Sequence, residues 1–182
     1  MPRTSRLRRH ERRPHEETGQ ALVEFALVLP LLLFIVLGII DLGKAFGYKN
    51  DETNLANQAA RAAAVDKCPG GCLNIRNWII SQAPSNELEN GGGSIGNNGL
   101  SDAGAITFTF PSGGSHCVGD PVKVTVKVHY NWLNFLTVGG VLPSLGTDIT
   151  GSATMRLEQN YRNDGTDPYS ASPPISGAPC PP

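Results

Sequence analysis

Charge is nearly absent from residues 21–40, where Glu24 is the single ionisable side chain in twenty positions. Such a run matches the ~20 residues needed to cross a hydrocarbon core of ~30 Å. A soluble core helix is the competing expectation, but a chain of 182 residues has little surface with which to cover an apolar helix on every side. Also missing is a small-x-small pattern after the run. The following residues read GIIDLGKAFGYKND, and Ala45-Phe46-Gly47 is a poor substitute, which argues against a conventional cleaved secretory signal. Cysteine is absent before Cys68.

The sequence is equally poor in catalytic constellations. Gly92-Gly93-Ser94-Ile95-Gly96 fits G-x-S-x-G, but no apolar strand precedes it and no helix pattern follows, so it lacks the setting of a nucleophile elbow. His10 and His15 fall in the N-terminal arm, and His116 and His129 have no evident acid–base partners. Neither an enzymatic activity nor a cofactor is expected. Cys68, Cys72, His116 and Cys117 are usable zinc ligands, but C-x3-C without a second spaced pair is a weak metal pattern, and no metal site is expected.

The charge that is present is unevenly placed. Residues 1–19 carry six arginines against three glutamates, while the remainder is acidic on balance. Arginines beside an apolar run orient a membrane segment, keeping residues 1–19 in the cytoplasm and sending everything after Asp41 across. Nucleic acid is the other partner a basic arm could attract; beside an apolar run it is not the expected one. All four cysteines then lie in an oxidising compartment, where disulfides are favoured. Four cysteines permit three complete pairings, which spacing does not rank. A bridge from the Cys68/Cys72 turn to Cys117 is preferred because it would tie helix to sheet.

Residues 19–25, GQALVEF, resemble the processing site of type IV pilin-like proteins. The longer run GQALVEFALVLPLLLFIVLGIIDLGKAFG is similar to the TadE-like family of tight-adherence (Tad/Flp) pilus assembly proteins, and SATMRLE near residue 155 looks like the end of such proteins. The resemblance implies cleavage by a prepilin peptidase after Gly19, leaving Gln20 as the first mature residue, and gives Glu24 the role of assembly residue. Gln20 departs from the phenylalanine usual at that position in many type IV pilins. A physical reason for Glu24 follows. A carboxylate in a bilayer is costly unless it pairs or snorkels, and cleavage would create an ammonium on Gln20, one helical turn away. That ammonium, on the same or a neighbouring subunit, is the expected partner. Pro30 deprives the Ala26 carbonyl of its usual donor and predicts a kink.

Beyond the span, DETNLANQAARAAAVD places Leu55, Ala59 and Ala63 beside Ala56, Ala60 and Ala64, a thin stripe that continues the helix. A helix over residues 20–65 would measure roughly 70 Å, more than twice what a membrane needs. KCPGGC ends it. NIRNWIISQ predicts a short second helix, and PSNELENGGGSIGNNGLSDAG reads as a long mobile loop. Three alternating segments follow, around Ile106–Phe110, Val122–Val128 and Ile149–Leu157. Between the last two lies YNWLNFLTVGGVLPSLG, whose apolar residues fit packing on the sheet edge or contact with lipid.

The expected fold is α+β, a long N-terminal helix, transmembrane in its first half, packed on a small antiparallel sheet headpiece. Its expected divisions are a basic cytoplasmic leader (1–19), the pilin-like helix (20–66, spanning over 21–40), an extracytoplasmic headpiece (67–160) and a disordered Pro-rich tail (161–182). The expected protein is a single-pass component of the cytoplasmic membrane, N-terminus inside, whose partners are the prepilin peptidase, other pilin-like subunits and membrane lipid. Its size separates it from the short major pilins. An uncleaved, membrane-anchored extracytoplasmic binding domain is the alternative.

Overall fold

The computed structural model describes residues 15–65, 74–96, 98–111, 117–134 and 145–158. Two compact units divide the chain, residues 1–39 and 40–182. In the first, the described residues are helical, the start of helix α1 (His15–Ala64). Among described residues this is the one helix long and apolar enough to cross a membrane, and none of its apolar window is buried. Leu22, Phe25, Leu27, Leu31 and Phe34 stand exposed, as they would if their solvent were lipid. Helical assignment runs through Pro30 without a break.

The second unit is the α+β headpiece that the alternation of residue types leads one to expect. Strands β1 (Ile106–Thr109), β2 (Pro121–Trp132) and β3 (Leu145–Arg156) form an antiparallel sheet in the order β1-β2-β3. On β2, Val122, Val124, Val126, Val128 and Tyr130 are buried while Lys123 and Lys127 are exposed, the period of two of a sheet with one wet face. Their cover is the last part of α1. Asp41, Ala45, Tyr48, Glu52, Leu55, Ala56, Ala59, Ala60 and Ala63 are buried at three- and four-residue spacings. The stripe therefore begins well before Leu55. At the helix end, the Ala64 carbonyl accepts the Glu158 amide at 2.8 Å, satisfying one of the acceptors a helix terminus leaves open.

The region read as a long mobile loop is instead largely folded onto this core. Helix α2 (Ile75–Ser81) starts at Asn74, whose side chain accepts from the amides of Arg76 and Asn77. Ser85 caps the short α3 (Asn86–Asn90) in the same way, and a 3₁₀ turn, Gly99–Ser101, follows. Leu88, Ile95 and Leu100 are each buried, three apolar anchors spaced too widely to register as a periodic element. Where β1 stops short, Ile95 pairs with Tyr130, and the Gly96 amide donates to the His129 carbonyl at 2.7 Å. This segment occupies edge positions of β2 that β1 does not reach.

Helix and sheet approach most closely at Gly151, where a Cβ would overlap the backbone of Glu52 and Thr53. The Glu52 side chain is 0% exposed, and neither carboxyl oxygen has a hydrogen-bond partner. Burial raises its pKa from 4.5 to about 8, with Lys49 pulling the other way. The folded chain thus retains a proton that the unfolded chain releases. Stability from this group is greatest below about 4.5 and falls as pH rises to about 8. The slope is at most about 1.4 kcal/mol per pH unit. Thermal unfolding of the detergent-solubilised chain at the two ends of that window should show a lower midpoint at the alkaline end. Glu52→Gln is expected to remove most of the difference; an unaltered pH dependence in that variant would contradict a neutral buried acid.

Candidate processing and assembly site

Glycine inside a helix costs about 1 kcal/mol relative to alanine and needs a reason. At Gly19 the fold supplies none. The residue is helical and exposed, and a Cβ added there would meet nothing within 4 Å. Next to it, the Gln20 side-chain Nε2 donates to Glu24 Oε1 at 3.2 Å, both residues being exposed. The helix therefore places a donor and the carboxylate one turn apart on one face. Gln20 and Glu24 thus share one face, Gly19 precedes them on the helix, and Pro30 lies further along it. Cys68 and Cys72 lie outside the described residues. Cys117, the one described cysteine, is disulfide-bonded rather than a free thiol.

A second polar group lies just after the apolar run. Asp41 is buried, and the Tyr130 hydroxyl donates to its Oδ1 at 2.7 Å and lies 3.0 Å from its carbonyl oxygen. The Leu133 amide donates to the other carboxylate oxygen at 2.9 Å. Burial, then the Asp41 carboxylate, push the Tyr130 phenol up. Tyr48 packs 5.9 Å from the Tyr130 ring, and Trp132 meets the same ring edge-on at 5.0 Å. One signal in the sequence could have suggested the pair: Tyr130 continues the buried alternation of the β2 valines, and a buried phenol needs a partner.

One turn on, Lys44 donates to Ser94 Oγ at 2.9 Å and lies 3.7 Å from Glu87. Glu87 also accepts from the Ser94 amide and the Tyr48 hydroxyl. Burial alone would raise the Glu87 pKa, but Tyr48, the Ser94 amide and Lys44 outweigh it and hold the carboxyl below its usual range. Ser94, the serine of the G-x-S-x-G match, is thus a buried structural link rather than an exposed nucleophile. A cleft of about 220 Å³ lies on the wet side, bordered by Asp102, Lys127, His129 and Asp148. Its charges largely satisfy one another. Lys127 Nζ and His129 Nδ1 donate to Asp148 at 3.0 and 2.9 Å, and together they lower the Asp148 pKa. Among described residues no cluster of three or more His, Cys, Asp or Glu is arranged to hold a metal.

An exposed apolar helix long enough to span a membrane, continuous with an α+β headpiece, fits a single-pass membrane component. Residues 19–64 match the family model described as TadE-like protein. That segment runs from the candidate processing glycine to the end of α1 and leaves the sheet and the residues after 64 outside the match. The match covers about a quarter of the chain. No curated protein and no solved structure matches the chain.

The Asp41–Tyr130 pair has a measurable weight. Removing the hydroxyl leaves a buried carboxylate one donor short, at a cost of about 1–3 kcal/mol. Tyr130→Phe is expected to lower the unfolding midpoint of the solubilised chain accordingly. A midpoint equal to the parent's would mean that water replaces the phenol at no cost.

Proposed function

We propose that the chain is a pseudopilin-type subunit of a Tad/Flp type IV pilus system, cut after Gly19 by a prepilin peptidase. It is anchored with residues 1–19 in the cytoplasm and its headpiece outside. Gln20 is then the first mature residue, and Glu24 meets the new ammonium of its own or a neighbouring chain. The observation that carries this reading is the Gln20–Glu24 contact at 3.2 Å beside a glycine with no role in packing. The family match beginning at residue 19 supports it, as does the arginine-rich composition of the preceding residues. Pro30 leaves the Ala26 carbonyl without its usual donor, which a membrane-embedded helix tolerates where neighbours or local readjustment satisfy it. Export of the headpiece accords with the bonded state of Cys117, for which Cys68 and Cys72 are the proposed partners.

Mass spectrometry of the membrane-extracted protein tests processing directly. A mature chain beginning at Gln20 is expected, and Gly19→Val, whose bulk would obstruct the peptidase's approach to the following carbonyl, is expected to retain residues 1–19. Normal removal of the arginine-rich segment from that variant would overturn the proposed cut. Retention by the parent chain would favour the uncleaved anchored domain.

Assembly is tested at Glu24. An intramembrane carboxylate costs ~2.5–3.5 kcal/mol at mid-membrane and less near the edge. Glu24→Gln should therefore insert at least as well as the parent and still be cleaved. Its recovery with other pilus subunits, by co-purification from solubilised membranes, is expected to fall sharply. Recovery at the parental level would leave Glu24 as a snorkelling residue without a partner.

A further inference from the structure

The connection between β2 and β3 leaves the sheet at an energetically unfavourable residue. Leu133 has φ +49°, a left-handed backbone in which a bulky side chain is disfavoured by roughly 1–2 kcal/mol. Its amide donates to Asp41 Oδ2 at 2.9 Å, while Tyr130, three residues earlier, donates to Oδ1 of the same carboxylate. Two points on the end of β2 are therefore fixed to one helical residue. Strain held in this way calls for a reason beyond closing a hairpin.

Asp41 supplies that reason by its place in the chain. It directly follows the apolar run 21–40, so if that run spans the bilayer, Asp41 lies at the boundary with water. Whatever is hydrogen-bonded to its carboxylate lies at the boundary too. Trp132 packs on Tyr130 and pairs in the sheet with Leu145, which is 54% exposed. On α1, Leu42 and Phe46 flank the same level and are 47% and 67% exposed. A tryptophan beside aliphatic residues suits the headgroup level, where its ring can be half in hydrocarbon and half wet.

We propose that the β2 end of the hairpin, through Trp132, Leu133 and Leu145, together with Leu42 and Phe46, rests in the lipid headgroup–acyl boundary on the headpiece side. Asp41 is the positioning residue that sets its depth. The occupant of this surface is lipid, not a second protein chain, because the anchor is the first residue past the span and the apolar side chains continue the span's own lipid-facing character. The inference rests on residues 21–40 being a membrane span, and the test separates the two.

Full-length chain is reconstituted at one copy per lipid nanodisc, with Trp78→Phe leaving Trp132 as the sole indole. Emission is read with nitroxide lipids labelled either near the headgroup or deep on the acyl chain. In a companion chain, Trp78→Phe, Trp132→Phe and Phe34→Trp place the indole within the span. The expected result is strong quenching of Trp132 by the shallow label, clearly exceeding that by the deep one, with the reverse order for Phe34→Trp. Deep quenching at Phe34→Trp but none at Trp132 would overturn the proposal alone and assign the surface to another protein chain. No quenching at either position would overturn the proposal together with the span.

Discussion

The headpiece depends on how near a helix can come to a sheet. Ala56, Ala59, Ala60 and Ala63 present methyl groups where most helices present leucines, and the α1 backbone settles against β3 at a position only glycine can occupy. The larger side chains of β2 then fill the remaining volume, and Tyr130 reaches across to the helix. Close approach leaves no water beside Glu52, so its carboxyl is kept as an acid rather than an anion. An alanine-rich stripe is a poor core by area. Here it serves proximity, and the valines opposite supply the apolar bulk.

The same helix answers to two environments along its length. Up to Ile40 it carries large apolar residues on all sides, with one carboxylate near the start. From Asp41 onward exposed residues alternate with a buried stripe of Asp41, Tyr48, Glu52, Leu55 and alanines. A membrane span would be apolar at every azimuth, whereas a sheet covers only one face. Asp41 marks the change, and its two donors are Tyr130 of β2 and Leu133 just beyond that strand.

What could be read in advance follows from periodicity. The twenty-residue apolar run, the alanine stripe and the β2 alternation each repeat over enough residues to name their element and their buried face, and the α+β arrangement follows from them. The Gln20–Glu24 contact could be read from sequence because the two residues stand one helical turn apart. Residues 84–104 read as a mobile loop because glycine-rich turns hide three isolated anchors, Leu88, Ile95 and Leu100, buried in the fold next to distant β2. The Asp41–Tyr130 and Lys44–Glu87–Ser94 contacts were invisible for the same reason: their partners are separated by tens of residues, and no local pattern announces a tertiary hydrogen bond.

Helix α1 starts at His15, so the peptide bond joining Gly19 to Gln20 lies inside regular helix and not at its tip. Peptide hydrolysis requires access to the carbonyl, and a helical carbonyl is already engaged with the amide four residues on. Under the proposed processing, the first turns of α1 must therefore uncoil before they can be cut. Glycine makes that uncoiling about 1 kcal/mol easier than alanine would. The residue that contributes least to the folded helix is thus the one that lets its start be opened, and the cut chain would begin with a free amine where the helix had a peptide link.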